Sequence, residues 1–75
     1  MSEETKELTE KAMNFYVNSS KLLGIYDKIF DLPMKELVKK ALDFYVNSAG
    51  TFVSYDEIIE LQIQAKQAKE ELKLD

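Results

Sequence analysis

Proton transfer and nucleophilic attack are left by this sequence to carboxylates, Tyr, Ser and Lys, because it contains neither His nor Cys. Each of those groups needs a pKa displaced by burial in a cleft before it can act near neutral pH. A chain of 75 residues has little room for such a cleft, so the expectation is that the protein is not an enzyme and takes no small-molecule substrate or cofactor. The same two absences remove the usual ligands of a structural zinc and any disulfide. Stability must then come from a packed core or from self-association, and a single domain of this size buries only roughly 60% of its unfolded surface.

Oxygen ligands and lysines remain as possible binding chemistry. The stretch GTFVSYDEI, residues 50 to 58, is similar to the second half of an EF-hand loop, where a Gly precedes a hydroxyl residue and a ligating Glu. Residues 45 to 49 before it hold no carboxylate, and Gly50 stands one residue too far from Glu57, so no calcium or other metal site is expected. Lys35, Lys39 and Lys40 cluster near one helix start and Lys66, Lys69 and Lys73 line another segment, each within reach of phosphate in principle. Glu36, Glu60, Glu70 and Glu71 are interspersed, no aromatic stacks among them, all ten basic residues are Lys, and the net charge is -4. Such a surface reads as a solvated face, and its long-range field repels a nucleic acid. The segment ELVKKALDFYVNS is similar to the second helix of ribbon-helix-helix regulators over 13 residues, but the basic strand that reads DNA in that family has no counterpart here. A small dimeric nucleic-acid-binding regulator using the Lys clusters is therefore the alternative reading. Asn18-Ser19-Ser20 matches a glycosylation acceptor, which has no meaning without secretion.

The elements that position these side chains come from an internal repeat. Residues 7 to 30 align without a gap onto residues 36 to 59 at an offset of 29, with half of the positions identical. Repetition on this scale indicates one supersecondary unit used twice to close a shared core. The N-terminus MSEETKELTEK is charged where a signal peptide needs an apolar run, and no stretch approaches the roughly 20 apolar residues of a spanning helix, so the expectation is a cytoplasmic protein with no membrane partner.

Helix boundaries are written in local chemistry. Ser2 caps a first helix that opens with Glu3 and Glu4 and runs to about Leu23, where Gly24 supplies the left-handed residue and Ile25 folds back. Tyr26 to Phe30 reads as a short helical turn. Asp31 as cap and Pro33 in the first turn start a second helix, which ends near Ala49 before Gly50. Ser54 and Glu57 form a capping box, the strongest start signal in the chain, for a third helix over about 54 to 73.

Spacing then assigns faces. Leu8, Ala12, Phe15, Ser19 and Leu22 repeat as Leu37, Ala41, Phe44 and Ser48, a core stripe on which the duplicated helices pack with approximate twofold symmetry. The FYVNS segments are read as packing elements, with Tyr16 and Tyr45 at the rim and Asn18 and Asn47 on the polar side. Met13 with Val17, and Leu42 with Val46, widen each apolar arc to about 200°, more than a surface helix needs. One copy is expected to be covered by the third helix and the other by a second subunit. The first half of the third helix (Tyr55, Ile58, Ile59, Leu61, Ile63) is expected to be buried in the domain, and its narrow second half (Ala65, Ala68, Leu72) to form a coiled-coil seam for a partner.

The sequence thus predicts an all-α fold. It is a single domain over 1 to 75 with three main helices and a short helical turn, built from a duplicated helix-turn-helix unit and dimeric. The expected function is a non-catalytic protein-protein interaction or regulatory module that presents an acidic helical surface. Met13, Val17, Leu42 and Val46 are the expected homodimer or protein contact, and Ala65, Ala68 and Leu72 a second candidate face.

Overall fold

A computed structural model describes residues 2–49 and 51–74, and these form an all-helical bundle. Helix α1 is Glu3–Leu23, α2 is Tyr26–Ile29, α3 is Met34–Ala49 and α4 is Tyr55–Leu72. No helix is long and apolar enough to cross a membrane.

Local chemistry accounts for the boundaries. The Ser2 hydroxyl accepts the Thr5 amide at 3.1 Å, with Glu3 and Glu4 in the turn it opens. At the other end Gly24 adopts φ 75°, where a residue with a side chain is strained. Its amide reaches the Lys21 carbonyl, and the Ile25 amide reaches that of Ser20 at 3.0 Å, the paired bonds of a Schellman closure. Lys73 ends α4 in the same way at φ 55°. Its neighbour Leu74 donates to the Lys69 carbonyl at 2.9 Å and turns back into the core. The Ser54 hydroxyl accepts the Glu57 amide, which is one half of the expected capping box.

The start of α3 differs from expectation. The Leu37 amide bonds to the Pro33 carbonyl at 2.9 Å, so Pro33 stands at the cap position, one place before the first turn. Asp31 lies in the preceding turn, its amide held by the Lys28 carbonyl. Proline tolerates the cap because it has no amide to satisfy there. Gly50, expected to terminate α3, lies outside the described residues.

The repeat offset of 29 carries Tyr26, the first residue of α2, onto Tyr55, the first residue of α4. The same YD-x-I start is cut short after one turn in the first case, where Asp31, Leu32 and Pro33 come next, and continues through 18 residues in the second, where neither Gly nor Pro intervenes. A proline disfavours helical backbone in the residue before it.

Helices α1 and α3 form the main contact, α4 packs across both, and α2 lies on α1. The core joins Leu8 and Ala12 of α1, Ala41 and Leu42 of α3, and Ala65, Ala68 and Leu74. Four of these seven are alanines drawn from three helices, which lets the backbones approach closely and multiplies weak dispersion contacts. Leu22, expected in the core stripe, is 91% exposed instead. Leu22 stands in the last turn of α1, which has 21 residues against 16 in α3.

Candidate functional site

The side chains that sequence reasoning offered for a contact surface lie mostly inside the bundle. Leu42 is fully buried, and Ala65 and Ala68 are buried beside it. Met13, Val46 and Leu72 are half-buried and pack against that cluster, while Val17 is half-buried outside it. Leu42, Ala65 and Ala68, expected at a contact with a second subunit or partner, are therefore taken up within the chain, whereas Met13, Val17, Val46 and Leu72 keep part of their surface open. The cause is that α4 packs on both α1 and α3.

The two halves of α4 exchange the roles read from spacing. Ala65 and Ala68 are small enough to enter the narrow space against Ala12 and Ala41. In the first half, Tyr55 is 76% exposed, and Ile59 and Ile63 are exposed as well. Ile58 and Leu61 are half-buried. Tyr55, Ile59 and Ile63 succeed one another at steps of four, which places them on one face of the helix. Phe52, just before α4, is 84% exposed. Asp56 and Glu60 are exposed along one edge of this apolar stripe, and exposed Lys66 continues its face beyond Ile63. The signal was legible in part: α4 carries two apolar faces, and the face with the small residues is the one that packs closely.

Further exposed apolar side chains, Leu22, Leu23, Phe30 and Met34, fall between the last turn of α1 and the first of α3. The Tyr26 ring stacks edge-on to Phe30 at 5.0 Å between centroids, and the Lys21 ammonium lies over the Tyr26 ring. The FYVNS segments meet each other at the α1 and α3 contact. Phe15 lies 5.5 Å from Phe44, Phe15 lies 5.7 Å from Tyr45, and Tyr16 lies 5.4 Å from Phe44. Tilted and edge-on pairs of this kind are favourable for aromatic rings.

Polar contacts hold α4 in place and occupy part of the lysine chemistry. Lys69 pairs with Asp43 across α3 and α4, beside an open groove of about 340 Å³ lined in part by Val46, Ala65 and Lys66. A smaller groove of about 190 Å³ lies between α1 and α4, lined by Glu7, Lys11 and Gln64 among others. At the far end the Ser2 amide and hydroxyl both donate to the Glu71 carboxylate, the hydroxyl at 3.2 Å. The Thr5 hydroxyl beside it, and after it those two Ser2 donors, hold the Glu71 carboxyl below its usual range. Among the described residues, no group of three or more His, Cys, Asp or Glu side chains is placed to hold a metal.

Compared with known proteins, the chain matches no family model, no curated protein and no solved structure.

Proposed function

We propose that this chain is a non-catalytic protein-protein interaction module, and that its contact surface is the stripe Tyr55, Ile59 and Ile63 with Phe52 before it and the acidic Asp56 and Glu60 along one edge. The single observation that carries the reading is the exposure of Tyr55, Ile59 and Ile63 along one face of the first half of α4, with Phe52 exposed in the turn before it. Large apolar side chains grouped in this way, and ringed by polar residues, mark contact sites more often than chance exposure does. Aromatic residues such as Phe52 and Tyr55 bury much area at little entropic cost when they dock.

The chain is further read as a duplicated unit. The ring contacts support this, since the offset exchanges Phe15 with Phe44 and Tyr16 with Tyr45, and so turns the Phe15–Tyr45 pair into the Tyr16–Phe44 pair. A twofold-related pair of FYVNS segments has that reciprocity.

A photo-crosslinking amino acid placed at Ile63, in the cell that makes this protein, tests the contact surface. Adducts with a protein should form at Ile63 and not at Glu10, an exposed position on α1. Equal or absent adducts at the two positions would overturn the reading. The nucleic-acid alternative has less support, because Lys69 is already held by Asp43.

A further inference from the structure

Helix α4 turns the face around Ile59 straight outward. Ala68, buried in the core with residues of α1 and α3, lies about two and a half turns from Ile59 and so on the opposite side of the helix. The outward face carries Asp56, Ile59, Ile63 and Lys66, all four exposed, at steps of three, four and three. That is the spacing of a coiled-coil seam, and here two isoleucines stand between an acid and a base. Among the described residues neither Asp56 nor Lys66 makes an ion pair within the chain.

The order of these residues is self-complementary. Leu61 is the midpoint of Ile59 and Ile63, and it is also the midpoint of Asp56 and Lys66. A second α4 laid antiparallel on the first, with a twofold axis at the level of Leu61, therefore sets Ile59 on Ile63 of the other copy and, in the same register, Asp56 on Lys66 of the other copy. A parallel pair would instead bring Asp56 to Asp56 and Lys66 to Lys66, which like charge opposes. Glu60, the remaining carboxylate beside the seam, accepts a hydrogen bond from the Gln64 side chain at 3.3 Å, and half-buried Gln64 stands farther round the helix toward the core. That bond draws its charge away from its own copy. Glu70, the next seam position after Lys66, falls level with Phe52 of the other copy, outside its α4.

We propose that the occupant of the α4 stripe is a second copy of this chain, bound through an antiparallel α4–α4 contact with a twofold axis near Leu61. The same patch is used on both molecules, so the assembly closes at a dimer. Polar pairs at seam positions fix register and orientation at a cost in stability, and with two isoleucines from each chain at its centre the seam makes a weak dimer that exchanges with monomer. The inference rests on the reading of α4 as an interaction surface and names its partner.

The test is the solution mass of the full chain by sedimentation or light scattering, up to about 1 mM. The unaltered chain should reach a dimer and no larger species. Asp56→Lys and Lys66→Asp should each stay monomeric alone, because each sets like charges opposite one another at both ends of the seam. Mixed in equal amounts they should form a heterodimer, since the lysines of one meet the aspartates of the other, and the chain carrying both changes should dimerise by itself. Circular dichroism checks that all of them stay helical, and Ile59→Gln, which leaves the charges in place and should also hold the chain at monomer, serves if Asp56→Lys loses helix. An unaltered chain that stays monomeric, a single variant that dimerises as well as the unaltered chain, or a mixture that stays monomeric each overturns the proposal. Crosslinks from Ile63 to a different protein, with a monomeric chain, would sink the α4 pair and leave the interaction module standing.

Discussion

At the scale of single residues, two left-handed positions do the same job with different side chains. Gly24 at φ 75° closes α1 without strain, and Lys73 at φ 55° closes α4 with it. Left-handed backbone costs a residue with a Cβ about 1 to 2 kcal/mol. Gly24→Ala should therefore destabilise the fold by about 1 kcal/mol, and it should do so through the backbone alone, since an added Cβ would meet no atom within 4 Å. Lys73→Gly should stabilise by about 0.5 to 1 kcal/mol, as the C-terminal preference for Gly implies. Urea unfolding of both variants checks the opposite signs. The next residue differs between the two closures, because Leu74 after Lys73 enters the core, whereas Ile25 after Gly24 is only half-buried.

At the scale of the helix, α4 shows how side-chain volume selects between two apolar faces. Ala65 and Ala68 enter the core, and the branched Ile59 and Ile63 remain outside. Ala68→Leu should then cost about 1 to 3 kcal/mol by overpacking, and Leu42→Ala should cost about 2 to 5 kcal/mol by opening a cavity at the fully buried site. Leu22→Ala, on the last turn of α1, should change stability by less than about 0.5 kcal/mol. Thermal or denaturant melts of the three variants separate the core stripe from the last turn of α1. A large loss in Leu22→Ala would show that the end of α1 is covered in solution.

At the scale of the whole molecule, the two ends of the chain are tied together through Ser2, Thr5 and Glu71. A carboxyl held below its usual value contributes stability that is present above its unfolded pKa and is lost as pH falls through the folded value. The Glu71 contribution should accordingly fade as pH drops below the ordinary value of 4.5. Glu71→Gln should flatten that part of the stability curve, measured by denaturant unfolding from about pH 6 to pH 3. The same arrangement places the stripe at the far end of α4 from this tie. The closed end of the bundle is held by polar bonds, and the other end presents Phe52, Tyr55 and Ile59.

Helix starts and stops could be read from the residues because capping is local: Ser2, Gly24 and Ser54 act on backbone groups within a few positions. The pairing of the FYVNS segments was legible too, since it rests on the same helical spacing in α1 and α3. Which apolar face of α4 is buried could not be read, because it depends on Ala12 and Ala41, residues far away in the chain that set how closely the helices approach. The sequence by itself determined the helices and their amphipathic arcs. Only the tertiary structure decided that α4 lies across both α1 and α3, that Leu42, Ala65 and Ala68 are core, and that Phe52, Tyr55, Ile59 and Ile63 stay exposed. The physical reason is that burial is a property of pairs of surfaces, and a helix with two apolar faces can bury either until its neighbours are in place.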